Sequence, residues 1–121
     1  MKKPDLAQAT VEQLVTDYAL AASKHGRATE DGNSRIANKN ADIVARVHSE
    51  LRSRDARAAL LPLLQHVEPG VRCWAASHAL EFAPEAGEAV LTALAPTPRS
   101  LVAFSADMTL KEWRKGTLKF P

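Results

Sequence analysis

Three alanines, Ala75, Ala76 and Ala79, fall within one stretch that begins after a proline turn at Pro69 and carries Val71 and Leu80 at its ends. A helix edged with side chains this small lets a neighbouring helix lie close against it, whereas a pleated sheet gains nothing from them. The rest of the chain agrees. Apolar residues are 45% of the total, mostly Ala, Leu and Val, and aromatics only 5%, a balance that favours helices over strands. No stretch alternates apolar and polar residues as a half-buried strand would. The fold class expected is all-α.

Periodicity places about six helices. Thr10 opens the first, with Gln13 completing a capping box, and Val11, Leu14, Val15, Tyr18, Ala19 and Ala22 form its apolar stripe. His25-Gly26 reads as its end, followed by a polar loop over residues 26–34. The second helix is expected from Asn33 or Ser34 to about Ser53, with Ile36, Asn40, Ile43, Val44, Val47 and Leu51 on its inner side. Asn40 stands where the period asks for an apolar residue, which suits a half-buried amide bonded to a neighbouring helix or a contact used by a partner. Asp55 is placed to cap a third, leucine-rich helix that Pro62 should kink. Pro69 and Pro84 are placed to begin the fourth and fifth helices. The last runs from about Ser100 to Lys115 and stops at Gly116. A second capping box at Thr109 and Glu112 leaves open one helix or two.

A chain of 121 residues suits one domain, 1–121, with a loose start over residues 1–9 and a tail over 117–121. One cysteine, Cys73, excludes an intramolecular disulfide and a cysteine-rich zinc site. No export signal is recognisable, and the greasiest run, residues 58–64, is too short to span a bilayer. A cytoplasmic location is expected. The net charge of +2 is too small to imply nucleic acid.

Cys73 and His78 lie on one helix about 140° apart around its axis, so they diverge where a metal or a nucleophile pair needs convergence. Glu81, Glu85 and Glu88 straddle Pro84 and suit a helix start better than acid–base work. No glycine-rich phosphate loop or nucleophile elbow is present. No cofactor, metal or catalytic residue is expected. Trp74 and Trp113 are either core residues or anchors of a partner surface, with Arg72, His78 and Arg114 as polar neighbours.

The proline turn followed by Val71-Arg72-x-x-Ala75-Ala76-x-x-Ala79-Leu80 resembles the second helix of a HEAT repeat, and the leucine run with Pro62 resembles the helix before it. More widely, residues 10–116 resemble a family of small bacterial proteins known as a domain of unknown function. The likeness rests on the first helix, Asn40 in the second, the leucine run, the Val71-Arg72 helix and the closing Leu110-x-x-Trp113-Arg114-x-Gly116. The resemblance implies stacked antiparallel helical hairpins in a short right-handed α-solenoid, and it implies no activity. Such stacks commonly present a concave face to macromolecules. The function expected is therefore a non-catalytic protein-interaction module, one form being an antagonist or immunity-type binder. The alternatives are nucleic-acid binding through a mildly basic face including Arg72, Arg114 and Lys115, and an enzyme with an unrecognised site. An apolar edge on the last hairpin could also pair two copies.

Overall fold

The computed structural model describes residues 6–120. The first helix, α1, spans Val11–Glu30. Its expected capping box is formed: Gln13 N–H donates to Thr10 Oγ1 at 3.1 Å, and Thr10 N–H donates to Gln13 Oε1 at 2.8 Å. The stop expected at His25-Gly26 is absent, and the connection shrinks to residues 31–33. Gly26 has a different task. A Cβ placed on it would lie 3.0 Å from the Cα of Gly70, so its bareness serves a helix crossing. The extra turn of α1 carries Glu30, whose Oε1 accepts from Val102 N–H at 2.8 Å and so satisfies a free amide at the start of the last helix.

Helix α2 spans Ser34–Ser53, and Asn33 caps it by accepting from Ile36 N–H at 3.2 Å. Its buried side is Ala37, Asn40, Val44, Val47, His48 and Leu51, while Ile36, expected inside, is exposed. The Asn40 amide is buried, yet it donates to the Ile36 carbonyl of its own helix at 2.9 Å, not to a neighbour. Asp55 makes no cap; it takes a left-handed conformation (φ 54°) that turns the chain. The leucine run that follows is a 3-10 helix, Arg57–Gln65, instead of a kinked α-helix. Pro62 has no N–H for the α ladder and its ring crowds the preceding turn, so bonds to the third residue back prevail.

Helices α3 (Pro69–Phe82), α4 (Pro84–Leu94) and α5 (Leu101–Lys115) begin and end close to where the prolines, Ser100 and Gly116 place them. The tail is one helix, ended by Gly116 at φ 75°. At the start of the described chain, Leu6–Gln8 form a 3-10 turn, and Arg54 donates to the carbonyls of Leu6 and Ala9, both at 2.7 Å. Residues 1–5 and Pro121 lie outside the described residues.

The helices pack in sequence order: α1 on α2, the 3-10 helix on α3, α3 on α4 and α4 on α5. Helix α3 also meets α1 and α5, which puts it at the centre. Two apolar cores share it. Val71 and Ala75 join Leu14, Tyr18, Val44, Val47, Leu51 and Leu60 in the first. Cys73, Ala76 and Leu80 join Leu91, Leu94, Val102, Ala106 and Leu110 in the second. Ala75, Ala76 and Ala79 are all buried, as their size demands. The described residues are all-α, with no strand.

The α3–α4 crossing is the tightest point. A Cβ on Gly87 would lie 2.5 Å from the Ala76 carbonyl oxygen, which is backbone and cannot swing away. Gly87→Ala should therefore lose more to overpacking, ~1–3 kcal/mol, than the ~1 kcal/mol it gains in helix propensity. Thermal unfolding followed by circular dichroism should show a midpoint lowered by about 5 °C; an unchanged or raised midpoint would refute the crossing.

Candidate functional site

Helices α1 and α3 run antiparallel through the Gly26–Gly70 crossing, and that register assembles a ladder of rings. Tyr18 lies as far before Gly26 as His78 lies beyond Gly70, and the two meet: Tyr18 Oη is 2.6 Å from His78 Nδ1. Beside the crossing, Trp74 Nε1–H donates to His25 Nδ1 at 3.0 Å, and the rings meet edge to face at 5.1 Å. On its other side His78 stacks on His48 of α2, with ring centres 3.7 Å apart and planes 7° from parallel. Trp74 and His78 lie 5.8 Å apart, closing the ladder.

The hydrogen bonds dictate where the protons sit. An indole nitrogen can only donate, so His25 Nδ1 accepts and the His25 proton is on Nε2. Burial holds the Tyr18 phenol well above its usual pKa, and the phenol's one partner among the described residues is His78 Nδ1. The phenol therefore donates, and His78 likewise carries its proton on Nε2. Burial pushes His78 down to about 3, with the neighbouring His48 and the charges of Arg52 and Arg57 adding to the effect. Burial, followed by Arg52 and Arg57, lowers His48 to about 4. These rings are neutral near pH 7. His48 Nε2 is buried and has no hydrogen-bond partner among the described residues.

Next to the ladder a cleft of about 510 Å³ opens between the α1–α2 pair and the α3–α5 pair. Ala41 and Ala45 of α2 and Gly70 of α3 keep it roomy, and Trp74, His25 and His78 form a polar-tipped aromatic wall. Ser105 and Thr109 of α5 and the tail residues Leu118 and Phe120 close the far side. Asp42 and Lys119, both exposed, also line it. Beyond Ser105 and Thr109, α5 turns Leu101, Phe104 and Met108 to solvent on one side, 49%, 62% and 41% exposed.

Of the five residues singled out from sequence, only Trp74 and His78 come together here. His78 is a correction to the expected surface: at 5% exposure it is a core residue whose ring edges the cleft. Trp113 is half-buried against the second core. Arg114 is exposed and pairs with Glu88 of α4 at 3.2 Å, and Arg72 lies off the face of α3 that lines the cleft. The carboxylate of Glu68, just before α3, is engaged by Arg27. Glu81 likewise pairs with Arg57, and with Arg52 at 3.5 Å, on the flank of the histidine pair. Cys73 Sγ lies 4.0 Å from the Val102 carbonyl oxygen, and burial raises its thiol to about 11, which removes its nucleophilicity near neutral pH. Among the described residues no group of three or more His, Cys, Asp or Glu is placed to hold a metal, and no helix is long and apolar enough to cross a membrane.

Tyr18, His25 and His48 do not stand out as site residues in the sequence. The signals were there in part: His48 falls on the buried period set by Val44, Val47 and Leu51, and a stripe phenol such as Tyr18 needs a partner. Their meeting across helices far apart in sequence carries no local signature.

The fold and site thus define an all-helical protein with a histidine-rich cleft between two helix pairs. The family model described as Domain of unknown function (DUF2019) matches residues 12–113, and the chain belongs to that family. Among solved structures, the crystal structure of the protein RPA1889 from Rhodopseudomonas palustris CGA009 is similar at 30% sequence identity, with a TM-score of 0.88 over 98% of this chain and 100% of that one. Comparison with curated proteins gives no match.

The buried imidazoles make stability depend on pH. Unfolded, they titrate near 6.5; folded, His48 and His78 do so near 4 and 3. Between about pH 6.5 and 4 the unfolded chain therefore holds protons that the folded one refuses, and stability falls as pH falls, by up to ~1.4 kcal/mol per pH unit for each ring. Urea midpoints should drop steadily from pH 7 to pH 5, and His48→Phe should flatten the drop by roughly half. A midpoint constant over that range would contradict the neutral pair.

Proposed function

We propose that this protein is a non-catalytic protein-interaction module of the bacterial cytoplasm, a short HEAT-like stack of helical hairpins that docks a partner protein on α5. The observation that carries the reading is the side of α5 bearing Leu101, Phe104 and Met108, three large apolar side chains that a soluble surface rarely groups. Their spacing suits the apolar stripe of a partner helix laid along α5. The intrahelical Asp107–Lys111 pair, at 2.8 Å, would form part of a polar rim. An antagonist or immunity-type binder is one role that such a face could serve.

Neutral imidazoles, a thiol held protonated and carboxylates tied up in ion pairs weigh against an enzyme. Arg114 is paired with Glu88 on the α4–α5 side while Arg72 sits at the start of α3, so the arginines named for a nucleic-acid surface do not gather on α5's apolar side.

Tagged full-length protein recovered from its native cell should bring down one protein in near-equal amount. Phe104→Asp should abolish that recovery while the thermal midpoint stays within about 2 °C, since an exposed substitution costs little. A partner retained by Phe104→Asp, or a face found by sedimentation to be used only for pairing two copies, would contradict the proposal.

A further inference from the structure

The cleft has a chemistry of its own, which stands apart from docking on α5. Two of its wall residues, His25 and His78, each spend Nδ1 on an internal bond, to Trp74 and Tyr18. Each is left with an Nε2–H donor that has no hydrogen-bond partner among the described residues. His78 is nine-tenths buried and its ring lines the cleft, so a molecule seated there would meet its free donor in a largely water-excluded setting. A donor whose tautomer is locked by a second bond is also preorganised, because it need not turn or exchange its proton to bind.

The remaining features narrow the ligand. The cleft volume of about 510 Å³ lies in the range of small-molecule sites. The small residues Ala41, Ala45 and Gly70 share the lining with the Trp74 ring, whose face suits a planar molecule. A hydrogen-bond acceptor suits the wall best, because both imidazoles donate while the hydroxyls of Ser77, Ser105 and Thr109 can take either role. Full charge is disfavoured in either sense. A carboxylate would meet only neutral imidazoles and hydroxyls, with its one cation, Lys119, exposed at the rim and offset by Asp42. An ammonium would meet two imidazole N–H donors on the wall, with only neutral hydroxyls to replace its hydration and the Asp42 carboxylate exposed at the rim.

We infer that the cleft is a binding site for a small, flat, uncharged aromatic carbonyl compound, its ring beside Trp74 and its carbonyl oxygen accepting from His78 Nε2–H or His25 Nε2–H.

The test uses full-length protein carrying Trp113→Phe, which leaves Trp74 as the single indole and reporter. Coumarin and acetophenone are the probes; naphthalene, flat but without a carbonyl, and coumarin-3-carboxylate, flat but charged, are the controls. Coumarin should quench Trp74 saturably at one equivalent, and at least one of the two neutral probes should shift the Nε2–H resonance of His78 or His25 in nitrogen-15 spectra of the unsubstituted protein. Both controls should bind at least tenfold more weakly. His25→Phe, which leaves the Tyr18–His78 bond in place, should weaken coumarin binding severalfold if His25 is the donor and leave it unchanged if His78 is. Absence of saturable quenching and of any imidazole shift up to millimolar probe would overturn the inference, as would controls that bind as well as coumarin. Because Phe104 is not among the cleft's lining residues, Phe104→Asp should bind coumarin normally, which separates this outcome from the fate of the docking proposal.

Discussion

The structure depends on how closely other helices can approach α3. At one crossing Gly26 meets Gly70, and at another Gly87 meets the backbone at Ala76, so backbone lies almost against backbone where most helix pairs are held apart by side chains. Ala75, Ala76 and Ala79 extend this on the flanks of α3, which serves both apolar cores. A chain with few aromatics has little bulk with which to fill a wide gap between helices. Close approach is the alternative, because dispersion and burial both gain when small side chains leave no void.

The same closeness produces the cleft's chemistry. Antiparallel α1 and α3, pinned at Gly26 and Gly70, bring Trp74 to His25 and Tyr18 to His78 through one register. α2, packed on α1, contributes His48 as the stacking partner of His78. Polar rings packed together must satisfy each other, and four of them do so through two hydrogen bonds that lock two tautomers. His48 Nε2, left without a partner among the described residues, marks the point where the ladder is incomplete. The arginine–glutamate cluster of Arg52, Arg57 and Glu81 shapes the electrostatics here: the two guanidiniums help to keep the histidine pair neutral.

Much of the architecture was legible because it rests on local signals. Thr10 with Gln13, Asn33, Ser100, Gly116 and the prolines at 69 and 84 mark helix ends by capping chemistry that needs no knowledge of the fold. The alanine run in α3 announced close packing. The misreadings share a cause. Gly26 looks like a helix stop until the crossing is known, and Asp55 looks like a cap until its left-handed backbone is seen. Pro62 signals a disturbance without saying that the whole run becomes a 3-10 helix. The site was less legible still. Trp74 and His78 could be named, but their partners His25, Tyr18 and His48 are supplied by other helices, and Arg72 and Arg114 turned out to serve other faces.

Native-state hydrogen exchange tests the central role of α3 most directly, since the amides of the helix that everything else leans on should open only when the whole molecule unfolds. In both cores at once, the interior amides of α3 should be the slowest of the five helices to exchange, with opening free energies equal to the global value. Interior α3 amides that exchange faster than those of α1 or α5 would contradict the account.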